Sequence, residues 1–164
     1  MMDDWWQQVT HTLAQEFADL PDVAGATRIA VRLLIAAALG GILGYEREQK
    51  GKAAGLRTHM LVSLGAALFV LIPQQAGVSN ADLTRVLQGL VAGVGFLGAG
   101  AIIKGRDEDD VKGLTTAASV WLTAAIGVAA GLGREATAVL STLIALSILY
   151  SVPKIARRFE NDKS

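Results

Sequence analysis

The sequence predicts an all-α fold: a polytopic transmembrane helical bundle of five spans preceded by an amphipathic N-terminal helix. Three observations predict it. Long apolar stretches lie at about residues 29–45, 58–72, 86–103, 114–132 and 136–152, joined by short links. Hydrophobic residues make up 52% of the 164 and charged residues only 18%, to the apolar side of a soluble domain. From Leu90 to Ile103 there is no polar side chain, whereas a helix of a soluble protein should show a polar face at a period of about 3.6 residues.

Residues 1–25 form the first segment. Trp6, Val9, Leu13, Phe17 and Leu20 recur at helical spacing with Gln7, Gln8, Gln15 and Glu16 between them. Such a helix lies in the headgroup boundary, where Trp5 and Trp6 belong, or packs on the bundle. Asp3, Asp4, Glu16, Asp19 and Asp22 precede a single Arg28, so no basic-then-apolar secretory leader is expected. Residues 26–153 form the transmembrane domain. Four stretches reach the roughly 17–25 residues that a bilayer core requires. The second is shorter, and Arg57 and His59 at its start can extend it to the interface. Pro21, Pro73 and Pro153 are expected at span boundaries, because an interior proline breaks the helical ladder. Residues 154–164 form a short basic tail.

Lysine and arginine set the expected orientation. Arg47, Lys50, Lys52, Arg57, Lys104, Arg106, Lys112, Lys154, Arg157, Arg158 and Lys163 fall on one side, and Arg28, Arg85 and Arg134 on the other. The positive-inside rule then places the N-terminus outside and the C-terminus in the cytoplasm.

Eighteen glycines need a use. Gly40 with Gly44, Gly89 with Gly93, and Gly127 with Gly131 form small-xxx-small pairs, which let helix backbones approach where lipid gives no hydrophobic drive. On the first span the stripe reads Arg32, Ala36, Gly40, Gly44. Gly95, Gly98 and Gly100 lead us to expect a central, closely packed third span. The faces meet within one chain or, in a homo-oligomer, between copies. Residues 93–98 match G-x-G-x-x-G, but inside an apolar span they lack the strand and acidic residue of a dinucleotide site.

Several function classes drop out. Zero net charge without a basic face argues against nucleic acid. No cysteine is present, so thiolate chemistry and disulfides are excluded. No nucleophile–base–acid set is recognisable, and His11 and His59 lack metal-ligand spacing; neither an enzyme nor a cofactor is expected, and a metal set stays unassigned. Carboxylates suit hard cations, yet the acidic run at 107–110 also reads as a solvated loop. Arg32, about one turn inside the first span, either snorkels to headgroups or faces the interior toward an anion or carboxylate. Glu46 and Arg57 are expected to pair across the first hairpin, or the basic residues there simply anchor it. Thr115 and Thr116 open the fourth span, where hydroxyls bond a neighbouring helix or their own carbonyls.

Three stretches carry a family resemblance. Arg32-Leu33 through Gly44-Tyr45-Glu46-Arg47-Glu48 is one. Ala54-Gly55-Leu56-Arg57-Thr58-His59-Met60-Leu61-Val62 with Leu64-Gly65-Ala66 is the second. Gly95-Phe96-Leu97-Gly98-Ala99-Gly100 through Ile103, with Gly113-Leu114-Thr115-Thr116-Ala117-Ala118-Ser119-Val120-Trp121, is the third. Together they resemble the MgtC/SapB membrane proteins. The resemblance implies a bacterial inner-membrane protein tied to magnesium homeostasis, low-magnesium growth and virulence. It implies a modulator of another membrane protein, with a small magnesium carrier or channel as the alternative. Arg32, Glu46, Arg47, Arg57, Thr58, Thr115 and Thr116 are the candidate functional residues. Many family members continue into a soluble C-terminal domain, from which this chain, stopping at Ser164, is expected to depart.

Overall fold

The computed structural model describes residues 2–16, 18, 22–104 and 111–161, with side chains for 4–16, 18, 22–102 and 111–155. The described residues form six helices: α1 (Met2–Glu16), α2 (Val23–Gln49), α3 (Leu56–Gln75), α4 (Asn80–Gly100), α5 (Leu114–Gly131) and α6 (Glu135–Asn161). Between α4 and α5, β1 (Ile103–Lys104) pairs antiparallel with β2 (Val111–Lys112), in the register Ile103↔Lys112 and Lys104↔Val111. The chain divides into two compact units, residues 1–31 and 32–164. In the first unit, Trp5 and Trp6 of α1 meet edge to face at 4.6 Å and are both half-exposed. Phe17 and Leu20, expected on its apolar face, lie outside the described residues.

Five helices, α2 to α6, are long and apolar enough to cross a membrane. Their outward side chains agree with that. Leu34, Leu61, Phe69, Phe96, Leu140 and Leu143 are all exposed. A soluble monomer rarely leaves so much contiguous apolar surface in water, while lipid tails solvate it without cost.

The bundle closes on α3. Added Cβ atoms on Gly40 and Gly44 of α2 would strike the backbone or Cβ of Leu56, His59 and Ser63. On another side of α3, Gly127 of α5 lies against the Ser63 backbone and Gly131 against Ala67 and Val70. Two of the three glycine pairs therefore meet a neighbour within one chain. A core of Ala36, Leu39, Leu43, Ala67, Ile126, Ala130, Ala138 and Ala145 joins α2, α3, α5 and α6. A second core of Ala54, Ala66, Val94, Val120 and Ala124 brings in α4.

Three expectations need correction. The span containing Gly89 and Gly93 is peripheral and α5 is central: 11% of the apolar window of α4 is buried, against 50% for α5. In α4 only Val94 and Gly98 are buried, and only Gly98 among its glycines meets a neighbour, Ala117 at 3.6 Å. Around Gly89, Gly93, Gly95 and Gly100 there is open space. Small residues permit close approach but do not specify which face has a partner. Secondly, Pro73 and Pro153 lie inside α3 and α6, which continue past them to Gln75 and Asn161. Each proline removes one N–H from the ladder, a defect that water can relieve near a membrane edge. Finally, α4 stops at Gly100, so Ile103 belongs to β1 and not to the span.

Helix ends have local causes. Ser79 caps α4 by accepting from the Asp82 N–H at 3.2 Å. Gly113 precedes α5 with φ of 93°, and a Cβ there would strike the Ala101 carbonyl, so a glycine is required twice over.

A methyl group is enough to test which glycines matter. Gly127→Ala forces the α3 and α5 backbones apart, and overpacking of this kind costs about 1–3 kcal/mol. Gly93→Ala meets open space. Thermal melting in a neutral detergent should show a clear loss of stability for Gly127→Ala and almost none for Gly93→Ala.

Candidate functional site

The buried face of α2 runs through Ala36, Gly40, Leu43 and Gly44 and ends on Arg47. The same three- and four-residue steps run back from Ala36 to Arg32. An arginine thus stands at each end of one helix stripe, and each has a different set of partners.

At the first end, Arg47 is 3% exposed. Its Nε and Nη2 both donate to Glu46 Oε2, at 2.5 Å. A buried guanidinium needs a counter-charge and hydrogen-bond acceptors, and the adjacent carboxylate supplies the charge and accepts from two of its three nitrogens. The other oxygen, Glu46 Oε1, is buried with no hydrogen-bond partner among the described residues. The expected Glu46–Arg57 pair does not form. Arg57 and Thr58 are exposed on α3, off its buried stripe of His59, Ser63, Ala66, Ala67 and Val70. Arg57 makes no ion pair among the described residues. The buried neighbour takes the carboxylate because it alone lacks water as an alternative.

Around this pair the hairpin is tied together by polar groups. Glu48 Oε2 accepts from the Leu56 N–H at 2.8 Å, placing a carboxylate on the N-terminus of α3. Gly55 leaves room for it, since a Cβ would meet Glu48 Oε2 at 2.6 Å. His59 is fully buried. Its Nδ1 donates to the Gly55 carbonyl at 2.9 Å, and its Nε2 lies 3.2 Å from Ser119 Oγ on α5. Ser119 also donates to the Thr116 carbonyl at 2.8 Å. The Gly55 carbonyl can only accept, so Nδ1 carries a proton. The Ser119 hydroxyl thus links His59 Nε2 to the Thr116 carbonyl. Thr116 is buried, while Thr115 is exposed and lines a cavity of about 630 Å³ beside Glu46 and Arg47.

At the other end, Arg32 turns into the protein. Nη1 donates to the Gly131 carbonyl at 3.1 Å and to Gln74 Oε1 at 3.0 Å, and Nε lies 3.9 Å from Glu135 Oε1. Of its two readings, the interior one with a carboxylate matches this placement. The guanidinium meets a carbonyl exposed at the C-terminus of α5, where a cation is favoured. Gly133, with φ of 75°, passes so close that a Cβ would collide with the guanidinium.

The structure therefore brings Glu46, Arg47 and Thr116 into one buried region, with Thr115 at its edge. Arg57 and Thr58 remain outside it, and Arg32 is in a separate cluster. Glu48 and Ser119 were not singled out from the sequence, nor were Gln74 and Glu135, and His59, expected to reach the interface, is instead fully buried. For Arg47 and His59 a signal existed: each sits three or four residues from a small residue on a packed face. No group of three or more His, Asp or Glu that could hold a metal occurs among the described residues, and the acidic run at 107–110 lies outside them.

This architecture, five membrane-length helices packed through glycine with charged clusters at both ends, defines a polytopic membrane protein. Residues 33–158 match the MgtC family, and the chain belongs to that family. It is 40% identical over 140 residues to the protein SrpB of Synechococcus elongatus, covering 79% of this chain and 77% of that protein. It is 37% identical over 138 residues to the putative magnesium transporter YhiD of Escherichia coli K12, covering 80% and 63%. It is 40% identical over 128 residues to the protein MgtC of Salmonella typhimurium, covering 78% and 54%. The match thus spans less than two thirds of the last two relatives. No solved structure matches the chain.

The ion pair gives a direct test of the site. Removing one partner of a buried pair leaves an uncompensated charge at a cost of about 3–5 kcal/mol. Glu46→Gln should lower the melting temperature strongly. The double variant Glu46→Gln, Arg47→Gln should be less destabilised than Glu46→Gln alone.

Proposed function

We propose that this chain is a bacterial inner-membrane protein that serves magnesium homeostasis by modulating another membrane protein. Family membership and the printed name of the relative YhiD support the magnesium part. One observation carries the choice of a modulator. The helix cores are built of Ala, Leu, Ile and Val, and the charged clusters of Arg32 and Arg47 sit at the two ends of the bundle. A carrier for a doubly charged cation needs oxygen ligands along its path. The hydroxyls inside the bundle are mostly committed: Thr123 bonds the Ser119 carbonyl and Thr142 the Ala138 carbonyl. The exposed Arg57 and Thr58 leave the hairpin surface free for a protein partner.

Direct carriage is the second reading, favoured by one observation. Ser63 Oγ is fully buried between glycine faces and has no hydrogen-bond partner among the described residues. Liposomes holding only the purified chain separate the two. A modulator gives no magnesium flux above empty vesicles, and saturable flux would establish a carrier. In cells, Arg57→Lys keeps the charge but loses the planar fork, and it should impair low-magnesium growth while the protein still accumulates. Neutralising Asp107, Glu108, Asp109 and Asp110 together should leave growth unchanged.

The basic residues support an orientation with the N-terminus outside and the C-terminus in the cytoplasm. Reporter fusions within residues 105–112 should give a cytoplasmic signal, and a periplasmic one would reverse this orientation.

A further inference from the structure

The cavity beside the Glu46–Arg47 pair has two unlike walls. One is cationic: Arg47 and Lys50 from α2 and the turn after it, Lys52 beyond, and Lys154 from α6. Against these four cations stands one carboxylate, Glu46, whose Oε2 is already held by Arg47. Lys50, Lys52 and Lys154 make no ion pair among the described residues. Lys154 instead rests 3.5 Å from the centroid of the Tyr150 ring, which keeps its ammonium at the mouth. The opposite wall is apolar, formed by Ile148, Leu149 and Val152. Val152 is 55% exposed.

The position of the cavity decides which ligand fits both walls. It lies where the apolar windows of α2 and α6 give way to lysine, the level of the lipid headgroups. A soluble anion would use the cations and leave the apolar wall wet. A neutral acyl chain would use the wall and leave the three lysines unpaired. An amphiphile with an anionic head satisfies both, as basic pockets between transmembrane helices do for anionic lipids. We propose that this cavity binds one anionic phospholipid. The headgroup phosphate is held by Lys50, Lys52 and Lys154 and by Arg47 Nη1, the terminal nitrogen not committed to Glu46. The acyl chain lies along Ile148, Leu149 and Val152. Glu46 positions Arg47 for this contact and does not itself touch the phosphate. The site is independent of whether the protein modulates a partner or carries an ion.

The test is native mass spectrometry of the full chain in neutral detergent, titrated with phosphatidylglycerol or with phosphatidylcholine of the same acyl chains. Phosphatidylglycerol should bind at least about tenfold more tightly. Lys50→Gln, Lys52→Gln, Lys154→Gln in one variant should lose at least about tenfold of that affinity. Val152→Trp keeps every charge but fills the apolar wall, and it should also lose binding severalfold. Both variants change exposed side chains, and unchanged melting curves in detergent verify the fold. Millimolar inorganic phosphate should not displace the lipid. Equal binding of the two lipids, or full affinity in the triple lysine variant, would overturn the proposal. Full affinity in Val152→Trp would reduce the site to surface charge, and displacement by inorganic phosphate would make it a soluble-anion site; either result rejects it.

Discussion

The bundle depends on how closely α3 approaches its neighbours. Ser63 turns its Cβ to Gly40 of α2 on one side and its backbone to Gly127 of α5 on another, so neither neighbour places a side chain in the gap. In water, large apolar side chains would hold such helices together. In lipid they gain little by meeting, because the tails solvate them equally well. Dispersion between close-packed backbones and small side chains takes over that role. The inner surface is accordingly rich in alanine and glycine with a few leucine, isoleucine and valine side chains, and large side chains such as Leu34, Leu61, Phe69, Phe96 and Leu140 point outward. The short contact distance also dictates which polar groups fit inside. Serine and threonine do, by returning their hydroxyls to the carbonyls of their own helix, as Ser119, Thr123 and Thr142 do.

Larger polar groups are tolerated only where a helix ends. Arg32 and Arg47 occupy the two ends of one stripe on α2 and solve the same burial problem differently. Arg32 uses a carbonyl left open by the end of α5, with Gln74 and Glu135 nearby. Arg47 has its neighbour Glu46 and otherwise sits beside a cavity. Neither arrangement is complete, because Arg32 Nε and Glu46 Oε1 are each buried without a hydrogen-bond partner among the described residues. Incomplete satisfaction in a buried polar pair has an energetic cost that a purely structural contact does not need to carry. What sets the Arg47 end apart is the cavity of about 630 Å³ that Arg47 and Glu46 line, which makes it the more promising functional region.

The spans were legible in the sequence because lipid imposes a length and an apolar composition on any helix that crosses it. The family was legible because three long stretches matched in order, and residues 33–158 bear it out. The glycine pairs were only partly legible. Gly40 with Gly44 and Gly127 with Gly131 found neighbours, while Gly89 with Gly93, identical in pattern, faces open space. Spacing reports a helix face but not the arrangement of helices around it. The expected Glu46–Arg57 pairing failed for a related reason. Arg57 sits at the membrane edge by sequence position, yet it is two residues off the buried stripe of α3, whereas Arg47 continues that of α2. The prolines misled in a different way: the interior cost of proline falls where water can reach the freed carbonyl, and Pro73 and Pro153 stand near such positions.

The tight seating of Ser63 has a mechanical consequence. Backbone against backbone on two sides leaves no compliant layer of side chains to absorb a displacement. Sliding α3 by one residue would drive Cβ atoms into positions where even a methyl group does not fit. Helices α2, α3 and α5 therefore behave as one stiff plate. Compliance is left to α4, where Gly89, Gly93, Gly95 and Gly100 have empty space beside them.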